Sequence, residues 1–274
     1  MSLISHDLRR AAVLGHPIAH SLSPVLHRAA YRALGLPWTY DAVDVTADAV
    51  QSFVQACGPE WVGLSLTMPL KEAVLPALTQ HSPLVELTRA SNTVVFEGNE
   101  RIGHNTDVTG LVAAMSEAKV VSTSSAAILG SGATARSALV ALQQMGAREI
   151  DVVARQGRSA KAMAALGGVL GVRTKLIEWA DASTALEQPV VISTVPAAVA
   201  GQCAESIPSD AGLLFDVIYD PWPTPLASAW ASMGQVVGGL DLLVQQACGQ
   251  IELMTGAHVM PALLRAALEK PPLD

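Results

Sequence analysis

The segment Gly130-Ser131-Gly132-Ala133-Thr134-Ala135 constrains this chain more than any other, because it reads G-x-G-x-x-A. An apolar run, Ala126 to Leu129, precedes it, and a helical pattern extends to about Met145. Gly146 stops that helix, and Glu149 to Ala154 reads as a second strand. The result is a complete βαβ unit, which demands a parallel sheet with helices packed on it. In that setting Gly130 makes the tight turn and Gly132 lets backbone approach a pyrophosphate. Ala135 lets the helix pack closely on its strand. Amides at the helix N-terminus then face the phosphate charge. The expected ligand is a dinucleotide held by residues 130–135.

The end of the second strand indicates which dinucleotide. A site for NAD carries Asp or Glu there, to bond the ribose 2′-hydroxyl. This chain reads Val153-Ala154-Arg155-Gln156-Gly157-Arg158-Ser159. The acid is missing, Asp151 lies too early, and Arg155 and Arg158 stand in its place. Guanidinium groups suit a 2′-phosphate through charge-assisted hydrogen bonds, so the expected cofactor is NADP.

Charge distribution agrees. The 274 residues carry a net charge of −7. Between Gly130 and Lys175 there are seven Lys or Arg and two acids, so this stretch is +5 and the remainder is −12. An acidic whole argues against a general nucleic-acid or anionic-membrane binder. A basic middle is consistent with one bound anion or with a solvated helix face. Half the residues are hydrophobic and 15% are charged, which excludes intrinsic disorder. At about 150 residues per domain, the length predicts about two domains.

Cys57, Cys203 and Cys248 are odd in number and far apart, as expected of a reducing compartment with no disulfide framework. Each reads as a small buried hydrophobe. No apolar run is long enough for a membrane span. The short run after Asp7, Arg9 and Arg10 is too short for a signal-peptide core. The expected location is the cytoplasm.

The N-terminal part alternates strands and helices. Ala11 to Leu14, Tyr40 to Val45 and Trp61 to Leu66 read as strands. Helices are expected with Ser23 as N-cap and Pro24 at the first position, and at Ala47 to Cys57 and Leu70 to Leu78. This predicts α/β architecture with a largely parallel sheet. Val190 to Ser193 and Leu213 to Val217 read as later strands of the nucleotide domain. Leu240 to Thr255 and Met260 to Leu268 read as helices. The expected domains are 1–107 plus 239–274, for substrate and catalysis, and 108–238, for the dinucleotide.

Polar motifs concentrate in the N-terminal part. Ser21 and Ser23 sit at a strand-to-helix turn, where two hydroxyls suit a small polar ligand. Lys71 follows a strand end, in Ser65-Leu-Thr67-Met-Pro-Leu-Lys71. Asn92 lies in Ala90-Ser-Asn-Thr93, and Asp107 in Gly103-His-Asn-Thr-Asp107. A lone lysine is ordinarily a solvated surface charge, but among these polar loops Lys71 and Asp107 could form the charged pair that a carbonyl reduction needs, one of them relaying a proton as hydride arrives. His16, His20, His27 and His104 form no H-E-x-x-H motif and have no cysteine companion, so no metal site is expected.

Seven motifs in order now carry a resemblance. They are PIAHSLSP at 17–24, SLTMPLK at 65–71, SNT at 91–93 and GHNTD at 103–107. GSGATAR at 130–136, DVIYDPWPTPL at 216–226 and GGLDLLVQQA at 238–247 complete them. Across nearly its whole length the sequence resembles the shikimate 5-dehydrogenase family, NADP-dependent enzymes of chorismate and aromatic amino-acid biosynthesis. The resemblance implies an α/β fold of two domains: a mixed-sheet substrate domain and a doubly wound Rossmann-type domain. It implies reversible hydride transfer between NADPH and the ring carbonyl of 3-dehydroshikimate. Lys71 would be the acid/base and Asp107 its partner. Ser21, Ser23, Ser65, Thr67, Asn92, Tyr219 and Gln246 would bind substrate. Thr194, Val195 and Pro196 would line the cofactor groove, with Ile218 and Gly239 beside the nicotinamide.

Four positions depart from the family pattern. Ser65 stands where Asn is common, and Ala154 where Asn is common. Ile192 to Pro196 replaces a more usual Asn-Ala-Thr, and Asp241 stands where Gly is common. A quinate/shikimate dehydrogenase using NAD would carry an acid after the second strand. A non-catalytic dinucleotide-binding regulator would have no reason to keep Lys71 and Asp107 with these polar motifs. The expected partners are a small-molecule substrate and a second copy of the chain in a homodimer, with neither nucleic acid nor membrane.

Overall fold

The computed structural model describes residues 8–269; Asp7 and both chain ends in the expected domain ranges lie outside them. The chain divides into two compact units. One comprises residues up to Thr106 and from Leu243; the other is Asp107–Leu242.

In the first unit the chain runs β1 (Arg10–Gly15), α1 (Ser23–Ala33), β2 (Thr39–Asp44), α2 (Val50–Ala56), β3 (Trp61–Leu66) and α3 (Leu70–Ala73). Then come β4 (Gln80–His81), α4 (Pro83–Thr88), β5 (Thr93–Glu97) and β6 (Glu100–His104). The sheet order is β2-β1-β3-β5-β6-β4. β1 pairs in parallel with β2 and β3, as the alternating pattern requires. The β5–β6 hairpin is antiparallel and makes the sheet mixed. Its connection is Gly98-Asn99, with Gly98 at φ +60°, as a two-residue hairpin turn requires.

Several helix limits differ from those expected. Ser23 is the first helical residue of α1, and Leu22 takes the N-cap position without a side-chain bond. The Ser21 hydroxyl instead accepts from the Ser23 amide at 3.4 Å. The helix expected over 70–78 splits into α3 and a 3-10 turn at Leu75–Ala77, because Pro76 offers no amide to an α-helical bond.

The chain continues as α5 (Thr106–Glu117), β7 (Ser125–Leu129), α6 (Ala133–Gln144), β8 (Glu149–Val153), α7 (Arg158–Leu170) and β9 (Arg173–Ile177). After β10 (Val190–Ser193) come α8 (Ala197–Ala200), β11 (Leu213–Asp216), α9 (Pro225–Trp230) and β12 (Gln235–Val237). α10 (Gly239–Thr255) and α11 (Pro261–Leu268) end the chain. All pairings in this second sheet are parallel, in the order β9-β8-β7-β10-β11-β12. This is the doubly wound order, reversing between β7 and β10.

Each unit has its own core. In the second, Trp230 is fully buried among Leu186, Leu214 and Leu226, and its indole N–H donates to the Gly212 carbonyl at 3.0 Å. In the first, α1 places Leu26 and Ala30 against Val244, Ala247 and Ile251 of α10 and Leu264 of α11. Burying such aliphatic side chains is worth about 1.5–3 kcal/mol each, and it secures the α10 segment that carries Gln246. Among the described residues, no helix is long and apolar enough to cross a membrane.

Candidate functional site

In a parallel sheet, loops after the strands gather at the carboxyl edge, and ligands bind where the strand order reverses. Five such loops of the second unit carry the residues expected to bind the cofactor. Gly130 to Gly132 follows β7, and Arg155 follows β8. Thr194 to Pro196 follows β10, Ile218 follows β11, and Gly239 follows β12. The turns are laced together. The Gly130 amide donates to the Val153 carbonyl at 2.8 Å. Both the amide and the hydroxyl of Thr194 donate to the Leu129 carbonyl at 2.9 Å.

Gly130, Gly132 and Gly239 differ in the room a side chain would find. Gly130 has φ +116°, a conformation that side chains other than glycine rarely take. A Cβ there would lie 2.4 Å from the Thr194 hydroxyl. A Cβ on Gly132 would meet nothing within 4 Å, so the backbone at the start of α6 is open to an approaching group. Ala135 is fully buried, as close helix–strand packing requires. A Cβ on Gly239 would lie 2.3 Å from the Val217 carbonyl oxygen. The Gly239 amide donates to the Ile218 carbonyl at 3.2 Å, so these two expected nicotinamide neighbours touch. α6 starts after Gly132 with no side-chain cap, so its N-terminal amides suit an anion and the residues present fit a bound pyrophosphate.

Arg155 and Arg158 are exposed on either side of Gly157. The Ser131 hydroxyl donates to that of Ser159 at 2.9 Å, joining this loop to the glycine turn. Asp151 lies within β8 and accepts from the Gln188 amide at 2.9 Å. Glu178, after β9, accepts from Gln156. The other cations of the basic stretch scatter: Arg136 is buried in α6, and Arg173 pairs with Glu149.

In the segment after β11, one carboxylate holds both ends. Asp216 accepts from the Thr224 hydroxyl at 2.7 Å and from the Ile218 amide at 3.2 Å. Burial pushes its carboxyl above the usual range. Tyr219 lies between these anchors.

In the first unit, Ser23, Ser65, Asn92 and Gln246 are buried, and Ser21, Thr67 and Lys71 are partly so. Asn92 is the junction. Its Oδ1 accepts from the Thr93 hydroxyl at 2.9 Å and the Thr106 amide at 2.8 Å. Its Nδ2 donates to the Thr106 hydroxyl at 2.9 Å and to Gln246 Oε1 at 3.3 Å. The Lys71 carbonyl accepts from the Ser91 amide at 2.8 Å. Thus Ser91 ties this segment to the Lys71 backbone, and Asn92 ties it to the first residue of α5. Asp107 follows in the first turn of that helix, where a carboxylate is favoured. Thr67 is positioned by its backbone, its amide on the Leu14 carbonyl at 2.9 Å.

Sequence reasoning assigned no part in the site to four buried polar residues here: His27, Tyr40, Thr93 and Gln250. The Ser65 hydroxyl donates to Gln250 Oε1 at 2.8 Å and accepts from the Tyr40 hydroxyl at 2.6 Å. His27 stacks on Tyr40 with ring centroids 3.9 Å apart, its Nε2 3.2 Å from Gln250 Oε1. One signal was available, since Gln250 stands one turn after Gln246 and shares its helix face.

Burial lowers the His27 pKa from 6.5 to about 3, its bond to Gln250 opposing only in part. The unfolded chain then binds a proton below pH 6.5 that the folded one refuses, so stability is lost as pH falls through that window. Going from about pH 7 to about pH 5 should cost about 2 kcal/mol through His27 alone. Urea unfolding at both pH values checks this, with His27→Gln lacking that share of the loss. Equal losses in wild type and variant would refute it. The other expected histidines lie apart: His16 pairs with Asp44 at 2.7 Å, and among the described residues no group of three or more His, Cys, Asp or Glu could hold a metal.

The chain is similar to known proteins along nearly its whole length. The family model of the shikimate dehydrogenase substrate binding domain matches residues 13–94. Shikimate dehydrogenase (NADP(+)) of Oleidesulfovibrio alaskensis is 32% identical over 266 residues, 93% of each chain. The crystal structure of Mycobacterium tuberculosis shikimate dehydrogenase is 41% identical, with TM-score 0.87, covering 95% of this chain and 99% of that one. Thermus thermophilus shikimate 5-dehydrogenase in complex with NADP(H) and shikimate is 29% identical, with TM-score 0.81, covering 95% of this chain and 98% of that one.

Proposed function

The chain belongs to the shikimate dehydrogenase family, and from that premise we propose that it interconverts shikimate and 3-dehydroshikimate with NADP. The observation that carries this reading is the bond between Asn92 and Gln246, 154 residues apart in sequence. It brings two side-chain amides together in the unit that also carries Ser21, Ser23 and Thr67. Uncharged donors and acceptors of this kind suit a ring acid with several hydroxyls.

Bound NADP supplies the hydride acceptor or donor. In the reducing direction Lys71 Nζ, as ammonium, gives a proton to the ketone oxygen as the ring carbon gains hydride. In the oxidising direction the neutral amine takes the hydroxyl proton. Asp107 is the acidic partner that steadies the ammonium, and its placement in the first turn of α5 holds it in one position. Ser21, Ser23, Thr67, Asn92, Tyr219 and Gln246 are proposed to bind substrate. Residues 130–135 hold the pyrophosphate, and Arg155 and Arg158 hold the 2′-phosphate. Thr194 to Pro196 line the groove, with Ile218 and Gly239 beside the nicotinamide. Division of labour between a substrate domain and a dinucleotide domain, a cytoplasmic location and a homodimer belong to the same proposal.

The test is an assay of NADPH formation from shikimate and NADP+, with quinate and NAD+ run in parallel. Turnover of shikimate with NADP+ is expected. No turnover with either cofactor would sink the enzymatic reading, and a preference for quinate with NAD+ would reassign it.

A further inference from the structure

We infer that Gln250 is a positioning residue for the substrate site, and that Ser65 acts on that site through Gln250 instead of touching substrate. The inference rests on the function proposed above and names residues that set its substrate affinity.

The argument is one of donors and acceptors. The Asn92 backbone carbonyl can only accept. It lies 3.1 Å from Gln250 Nε2, which fixes which end of that amide is nitrogen. Gln250 Oε1 must therefore be the acceptor shared by Ser65 and His27. Ser65 spends its one proton on Gln250, so its lone pair takes the Tyr40 hydroxyl. On the other side, Gln250 Nε2 donates to the Thr93 hydroxyl at 3.1 Å. Thr93 then spends its proton on Asn92 Oδ1, which the Thr106 amide independently marks as oxygen.

The polarity continues outward. Asn92 Nδ2 donates to Gln246 Oε1, and Gln246 Nε2 donates to the Leu243 carbonyl at 3.0 Å. Hydrogen bonds thus run one way from Tyr40 through Ser65, Gln250, Thr93 and Asn92 to Gln246. The arrangement leaves the second Nε2 proton of Gln246 for a substrate hydroxyl, and allows no alternative orientation of the three amides. A site pre-set in this way binds without first reordering its side chains. Ser65 suits this relay because a hydroxyl both accepts and donates along one line. Its one proton is committed to Gln250 and it accepts from Tyr40, and it is buried.

Gln250→Met, which keeps volume and removes both polar ends, is the decisive variant. The KM for shikimate should rise roughly 10-fold, the scale of one buried hydrogen bond left unmade. The KM for NADP+ should stay within about twofold, because the relay lies wholly in the first unit. Ser65→Ala alone should raise the shikimate KM by a smaller factor, and should add nothing in the Gln250→Met background. A folded Gln250→Met protein with unchanged shikimate KM would overturn the inference. Multiplicative effects in the double variant would overturn the part concerning Ser65. If Gln250→Met fails to fold, Thr93→Val breaks the next link, with the same rise expected and no rise counting against the relay. Wild type without shikimate turnover would instead defeat the function on which the relay rests, so the two failures are distinguishable.

Discussion

Lys71→Ala is expected to lower kcat by roughly 10²–10⁴-fold, the usual contribution of a positioned proton donor or acceptor. The expectation follows from how Lys71 is held. It is the second residue of α3, immediately after the turn that ends β3, and its carbonyl is pinned by the Ser91 amide. That bond fixes the Lys71 backbone beside the segment that carries Asn92, and the residue is partly buried. Removing the amine leaves the bound ketone without a proton donor when the hydride arrives. The loss should therefore fall on kcat and kcat/KM alike, with little change in the KM for shikimate. Steady-state kinetics in both directions checks this. A variant that keeps kcat and loses only KM would make Lys71 a binding group and leave the proton step to another residue. Asp107→Asn should show a smaller loss of kcat, since an amide keeps the shape but not the charge that steadies the ammonium.

What the sequence made legible, and what it did not, divides along physical lines. β1, β3, β7 and β10 are short apolar runs that stop at Gly, Thr or Pro, and such runs read as buried parallel strands without help from elsewhere. The glycine turn was equally plain, because Gly130 and Gly132 serve local backbone needs. The β5–β6 hairpin was hidden. Its strands were read as polar motifs, SNT and GHNTD, although the apolar run Val94 to Phe96 leads into a Gly-Asn turn. The start of α5 was hidden for the same reason, since Asn105, Thr106 and Asp107 resemble a loop until the helix after them is recognised.

The Ser65 relay was out of reach. Ser65 and Gln250 are 185 residues apart. Only the packing of α10 against the first sheet brings them to hydrogen-bond distance. The unusual serine was visible as a departure from the family pattern, but its partners were not. A buried polar group must find a partner, and for Ser65 both partners come from other elements, Tyr40 on β2 and Gln250 on α10.

The second large effect is expected at Arg155. Arg155→Ala should raise the KM for NADP+ by roughly 100-fold, about 2.7 kcal/mol, the upper range for a charge-assisted bond to phosphate. The KM for NAD+, which lacks the 2′-phosphate, should move by no more than about twofold, so the preference between cofactors should collapse. Three observations support this. Arg155 and Arg158 flank Gly157 at the carboxyl end of β8, and the Ser131–Ser159 bond joins their loop to the glycine turn. Asp151, the one acid of that strand's second half, lies inside the sheet and is occupied by Gln188. Glu178 is occupied by Gln156. Among the described residues, both carboxylates near the strand end thus hold side-chain amides, and the charge of the loop is positive. Because both arginines are exposed, their attraction is screened by salt. The wild-type KM for NADP+ should therefore climb with ionic strength more steeply than that for NAD+, and Arg155→Ala should flatten the difference. Equal shifts for the two cofactors in the variant would reduce Arg155 to a structural role. A wild type that prefers NAD+ would remove the phosphate site from this loop.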